Sequence, residues 1–211
     1  MAQVWSYPDF QKNTVEFKNM VKLKKQWKLF MRWVHRTPHW VEGFSYVIVT
    51  GATYQKQHFL RGSDALQFWT NRFLETAEEY EFEIHAWIVF SNHYHFIARA
   101  GRDPNVSKWL KKLHQNTSKW LNQRDDTVGR KVWYQFWDSE IRTSGSYLAR
   151  MHYVLWNAVH HGLVLHPMDY PWSSYRQWEA SVSRVQFDQV SRMRSDRVAV
   201  KDDFDLTGLD P

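Results

Sequence analysis

Apolar residues recur along this chain with two different periods, and the switches between them outline a fold. Residues 44–50 are dense in aromatic and β-branched side chains and predict a strand. After a polar loop, Ser63-Asp64 offers a cap for a helix over 63–80, with Leu66, Phe68, Phe73 and Leu74 as its apolar positions. Residues 84–89 and 94–99 predict two more strands, joined at Ser91-Asn92 into a hairpin. Asp103-Pro104 opens a second helix, in which Val106, Trp109, Leu110, Leu113 and Trp120 fall at near-helical spacing. Residues 132–137 are aromatic and suit a fourth strand. A third helix is expected over 144–161, stopped by Gly162. The order β-α-β-β-α-β-α begins with the run that builds a ferredoxin-like split βαβ unit. The expected class is therefore α+β, an antiparallel sheet with helices on one face.

Two flanking segments differ in character. Residues 1–43 mix Lys22, Lys24, Lys25, Lys28, Arg32 and Arg36 with Trp27, Phe30 and Trp33. Phe17, Met20, Val21, Trp27, Met31 and Val34 predict a helix over about 15–35, ending before Pro38. At the other end the chain turns polar after Trp178 and carries Asp202-Asp203 and Asp205, a pattern that predicts loose packing. The expected organisation is a basic N-terminal extension (1–43), one domain (44–178) and a polar C-terminal tail (179–211).

With 211 residues the chain can bury one sizeable core, and 43% hydrophobic with 24% charged residues is a globular composition. A net charge of +6 makes a polyanionic partner plausible, and 13 Trp residues provide surfaces on which bases can stack. The absence of Cys excludes disulfides, thiolate metal sites and cysteine nucleophiles, and fits a cytoplasmic protein. No run of about 18 apolar residues occurs, so no membrane span is expected.

The chemistry concentrates in Ser91-Asn92-His93-Tyr94-His95-Phe96. Residues two apart on a strand share a face, so His93 and His95 can aim two imidazoles at one metal ion. An isolated pair of this kind is usually coincidence; its position just after a turn raises its weight. In the third helix Tyr153 and Asn157 are four apart and share a face. An amide oxygen beside two imidazoles suits a divalent ion such as Mg²⁺ or Mn²⁺ and an anionic phosphodiester, with zinc as a competitor for the nitrogens. Tyr153 then becomes a candidate nucleophile, whose attack on phosphorus would leave a phosphotyrosine. Tyr147 is the rival, but six residues at about 100° each place it well off the Tyr153 face. His152, His160 and His161 suit surface or phosphate-contact roles. Phosphate contacts are expected from the N-terminal arm and from Lys108, Lys111, Lys112 and Arg142.

Four ordered stretches resemble the REP-associated tyrosine transposases, the single-tyrosine branch of the HUH nucleases. They are Ala86-Trp87-Ile88-Val89-Phe90-Ser91-Asn92-His93-Tyr94-His95, Val132-Trp133-Tyr134-Gln135-Phe136-Trp137-Asp138, Tyr153-Val154-Leu155-Trp156-Asn157 with the residues through Val164, and Tyr170-Pro171-Trp172-Ser173-Ser174-Tyr175. The chain departs from the family pattern at Phe90-Ser91, Tyr94, Ala158 and His160, none of which removes a group the chemistry needs. The resemblance implies His93, His95 and Asn157 as metal ligands and Tyr153 as the nucleophile. It also implies single-stranded DNA with short imperfect hairpins as partner and a 5′-phosphotyrosine intermediate. Two further functions remain open: a domesticated hairpin-binding protein without cleavage, and a metal-dependent hydrolase that activates water and spares Tyr153. A monomer and a homodimer are both compatible with the sequence.

Overall fold

A computed structural model describes residues 45–100 and 105–195, together with 198, 200, 202 and 204–206. The helix expected over 15–35 and the Asp103-Pro104 helix start lie outside the described residues. Four strands form the sheet: β1 (Ser45–Thr53), β2 (Glu83–Val89), β3 (His93–Ala100) and β4 (Trp133–Ile141). Their order is β2-β3-β1-β4, with every neighbouring pair antiparallel. The crossover helices α1 (Ser63–Glu79) and α2 (Val106–Arg124) complete the β-α-β-β-α-β pattern.

The two crossover helices share one face, as the pattern predicts. Trp69, Phe73 and Trp109 from these helices meet Tyr94 and Phe96 from β3, with ring centroids 4.8–5.1 Å apart. A buried indole usually finds a hydrogen-bond acceptor, and two of them here find threonines. Trp109 Nε1 donates to Thr76 Oγ1 and Trp133 Nε1 to Thr117 Oγ1, both at 2.9 Å. The helix that follows the run, α3 (Ser144–His160), covers the opposite face. Its Met151, Val154, Leu155 and Ala158 join Tyr46, Ile48, Ile88 and Ile97 in a second core. Thr143 caps it, the Ser146 amide donating to Thr143 Oγ1 at 3.2 Å.

The tail is not loose where it is described. Helices α4 (Tyr175–Ser181) and α5 (Arg184–Ser191) follow, the second opened by a Ser183/Gln186 capping box. Trp178 stacks on Phe187 at 5.7 Å, and His152 Nδ1 of α3 donates to the Val190 carbonyl at 3.0 Å. The expectation of loose packing fails because few but large apolar residues here dock on α3, and average polarity hides them.

The two sheet edges are treated differently. At β2 the segment holding Tyr170–Tyr175 pairs alongside: Val89 N donates to Trp172 O at 3.0 Å and Ser174 N to Trp87 O at 2.9 Å. Tyr170 adds its hydroxyl to the Val89 carbonyl at 2.8 Å. That motif therefore satisfies an edge that would otherwise offer unpaired amides. At the opposite edge β4 runs four residues beyond the expected end, through exposed Asp138, Ser139 and Glu140. Polar side chains are compatible with an edge strand, which is why a hydrophobic pattern stops short of it.

Tyr94, between the two histidines, faces the α1–α2 layer and lies across Gly51 of β1. A Cβ on Gly51 would sit 2.1 Å from the Tyr94 ring. The Tyr94 hydroxyl bonds His114 Nε2 at 2.8 Å, and His114 stacks on Trp133 at 4.4 Å. Gly51→Ala should therefore destabilise the fold by about 1–3 kcal/mol through overpacking. Urea unfolding measures this, and an unchanged midpoint would contradict the close approach.

Candidate active site

Alternation along β3 sends His93 and His95 to the α3 face, both without solvent exposure. Each ring is oriented from behind. His93 Nδ1 donates to Asn92 Oδ1 at 2.7 Å. The direction is fixed because Asn92 Nδ2 donates to the carbonyls of Lys56 (3.3 Å) and Asp205 (3.0 Å), leaving Oδ1 as the acceptor. His93 Nε2 is thus a bare lone pair facing the site. His95 Nδ1 bonds Thr50 Oγ1 at 2.8 Å, which turns its Nε2 the same way. Phe90 and Phe204 sandwich the His93 ring at 4.6 and 4.2 Å. Burial, then the neighbouring His95, pushes the His93 pKa well below its ordinary value. Burial also lowers that of His95, against the pull of Asp202. Both imidazoles are held neutral, the form that binds a metal.

Helix α3 lays Tyr153 and Asn157 over this pair, one turn apart. The Tyr153 hydroxyl is 3.4 Å from His95 Nε2, and the rings meet edge-on at 5.2 Å. Tyr147 is directed elsewhere: its hydroxyl bonds His85 Nδ1 at 2.7 Å beneath Tyr46. The row Tyr153, Asn157 and His161 continues at four-residue steps. His161 comes within 5.2 Å of the His93 ring, so it belongs at the site and not on the surface as expected. His152 serves α5, and His160 is exposed.

Asp202 is the residue that sequence reasoning missed. The tail brings its Oδ1 to 3.6 Å from both His93 Nε2 and His95 Nε2, and to 3.0 Å from His161 Nε2. Its Oδ2 accepts from the Tyr153 hydroxyl and, at 2.9 Å, from Asn157 Nδ2. Burial works to raise its pKa, but His161, His95 and Tyr153 outweigh burial and hold the carboxyl well below the usual range. Tyr153 moves the other way: burial, then the Asp202 charge, raises its pKa. No local pattern marks an aspartate in an acidic tail as part of a distant site. The i, i+4, i+8 row would have found His161.

His93, His95 and Asp202 form a group able to hold a metal ion, their ligand atoms all within 4.8 Å of one another. The side chains fit that role by a second criterion. His93 Nε2 and Asn157 Oδ1 are buried atoms without a hydrogen-bond partner, beside the His161 Nε2 and Asp202 Oδ1 pair at 3.0 Å. Buried polar atoms are rarely left so, and two in one cluster with a carboxylate are what an ion would satisfy. Lys108, Lys111 and Lys112 are exposed on α2, in the helix layer on the other side of the sheet. Arg142 pairs with Glu140 at 2.8 Å. None of these four joins the histidines. Among the described residues no helix is long and apolar enough to cross a membrane.

Residues 40–144 match the family described as "Transposase IS200 like". Over 108 residues the chain is 30% identical to a REP-associated tyrosine transposase of Escherichia coli (strain K12), which covers 49% of this chain and 61% of that protein. The chain thus spans less than two thirds of the length of this curated relative. A solved structure of a REP-associated tyrosine transposase bound to a REP hairpin shares the fold, with a TM-score of 0.55 and 21% identity. That alignment covers 68% of this chain and 84% of the other.

Thr50→Val keeps shape and burial but removes the bond to His95 Nδ1. Losing such an orienting partner should weaken Mn²⁺ binding by about 10–100-fold. Titration calorimetry on the folded variant tests this, and wild-type affinity would show that Thr50 does not set the ring.

Proposed function

The chain belongs to the IS200-like transposase family, on its REP-associated branch, and from that premise we propose that it cleaves and rejoins single-stranded DNA at hairpin-bearing sequences, with Tyr153 as nucleophile. One observation carries this reading: the Tyr153 hydroxyl faces the histidine pair of its own chain, 3.4 Å from His95 Nε2. Binding alone would require neither that contact nor the neutral, back-bonded imidazoles.

His93 and His95 would hold a divalent cation, with Asp202 and Asn157 completing the donors. Two nitrogens with carboxylate and amide oxygens suit Mn²⁺ or Mg²⁺ in the presence of a phosphate. Such an ion, when bound, supplies Lewis-acid polarisation of the scissile phosphate. The protein's own groups account for the rest. Asn92 and Thr50 fix the two rings, while Phe90 and Phe204 keep water from His93. Tyr153 rests protonated, its hydrogen directed at Asp202 Oδ2, the acceptor in place when the oxygen attacks. Attack forms the tyrosine O–P bond and breaks the P–O3′ bond, leaving a 5′-phosphotyrosine and a free 3′-hydroxyl. The adduct retains the phosphodiester energy, so a second 3′-hydroxyl can displace Tyr153 and reseal the strand without ATP. The whole set comes from one chain, which supports action by a single copy.

The test is a trapping assay with labelled single-stranded hairpin DNA from the gene's flanks, in Mn²⁺ or Mg²⁺. The wild type should give a protein–DNA adduct on a denaturing gel. Tyr153→Phe, His93→Ala, His95→Ala and a chelator should each abolish it, while Tyr153→Phe still binds the DNA within a few-fold. An adduct that survives in Tyr153→Phe removes Tyr153 as nucleophile. Binding without an adduct in any ion favours a hairpin-binding protein, and cleavage without an adduct favours hydrolysis by water.

A further inference from the structure

The edge at β4 carries a row of aromatic side chains that the chemistry above does not use. Tyr54, in the short 3₁₀ turn after β1, lies 6.5 Å from Tyr134, and Tyr134 lies 6.5 Å from Trp137 (ring centroids). Tyr134 is 54% exposed, whereas most of the described aromatic rings are buried. The register explains it. Thr53 pairs with Trp133 and Ala52 with Gln135, so Tyr134 is the extra residue of a bulge, and bulges re-aim side chains. Lys131 sits over both tyrosines, its Nζ 4.6 Å from the Tyr54 ring centroid and 5.5 Å from that of Tyr134.

The row connects two surfaces. Trp137 pairs with Thr50, which pairs with His95, so Trp137 is on the histidine face. Two strand spacings separate them, about 10 Å. Helix α3 packs over β2 and β3, and on β4 Gln135 and Ser139 of that same face are exposed. On the other side, Tyr134 and Lys131 line a groove of about 670 Å³ with Lys111, His114, Arg130 and Phe136, between α2 and β4. The strand's carboxylates, Asp138 and Glu140, alternate to the face away from the histidines, and Glu140 is held by Arg142. A polyanion reaching both the α2 lysines and the histidines would pass around this edge.

We propose that Tyr54, Tyr134 and Trp137 form a stacking strip for unpaired bases of single-stranded DNA, with Lys131 and Lys111 taking the adjoining phosphates. The inference rests on the reading of the histidine site as one for single-stranded DNA, and it assigns the path by which the strand reaches Tyr153. Bases stack on aromatic faces whatever their sequence, so the strip serves the segment beside a hairpin and not the hairpin itself.

Fluorescence anisotropy with an oligothymidine probe, which has no duplex to confuse the reading, tests the strip on the full chain. Tyr134→Ala should weaken binding by about tenfold, while Tyr134→Phe stays near wild type. Lys131→Gln should lower the slope of affinity against salt by about one phosphate's worth. A blunt hairpin lacking a single-stranded flank should bind wild type and Tyr134→Ala alike. Because Tyr134 is exposed, Tyr134→Ala should keep the wild-type circular-dichroism melt. Equal oligothymidine binding by wild type and Tyr134→Ala overturns the proposal, as does no binding by wild type. Neither result depends on cleavage, so a missing adduct in the trapping assay leaves this measurement standing.

Discussion

The site rests on the two-residue repeat of a single strand. On β3 that repeat puts His93 and His95 on one face and Tyr94 and Phe96 on the other. A slip of one residue would exchange the sets and bury tyrosine where the imidazoles belong. Tyr94 resists such a slip. It lies across Gly51, a position too close for any side chain, and its hydroxyl is tied to His114. Burial and the hydrogen bond together hold the register from behind, so the packing of the α1–α2 layer is part of what aims the histidines on the opposite face.

Much of this was legible because it is periodic. The strand pair around Ser91-Asn92, the helices that begin at Ser63 and Ser144, and the shared faces of His93 with His95 and of Tyr153 with Asn157 all follow from spacing alone. The split βαβ order then places β3 at the centre of the sheet. What escaped has no local period. The polar half of β4 is a strand because β1 offers it hydrogen bonds, not because its side chains are apolar. The two tail helices are anchored by a few large residues, Trp178, Phe187 and Val190, against α3. Asp202 reaches the site only because the described tail residues Phe204 and Leu206 are buried and hold the chain there.

Charge explains how Asp202 can lie inside. The chain as a whole is basic, at +6, but the histidine pocket is lined by neutral imidazoles and buried amide dipoles. A lone carboxylate there is costly unless it is bonded. Asp202 accepts from Tyr153 and Asn157 at Oδ2 and faces three imidazoles at Oδ1, and those contacts more than offset its burial. The same group ties the Tyr153 hydroxyl, the Asn157 amide and the histidine pair into one polar cluster. Removing any member would leave others buried without partners, so the members should respond to substitution as a unit and not additively.

The tail's contribution has a consequence for the order in which the protein is made. The Asn92 side chain bonds the Asp205 carbonyl across 113 residues of sequence. Synthesis from the N-terminus at 5–20 residues per second leaves a gap on the order of ten seconds between the two. During that interval a nascent chain can pair β2 with β3 and present both imidazoles, but it has no Asp202 to balance an ion or to hold the tyrosine. A chain that has not yet reached Asp202 therefore lacks one member of the cluster, because that residue is translated after every other side chain it joins.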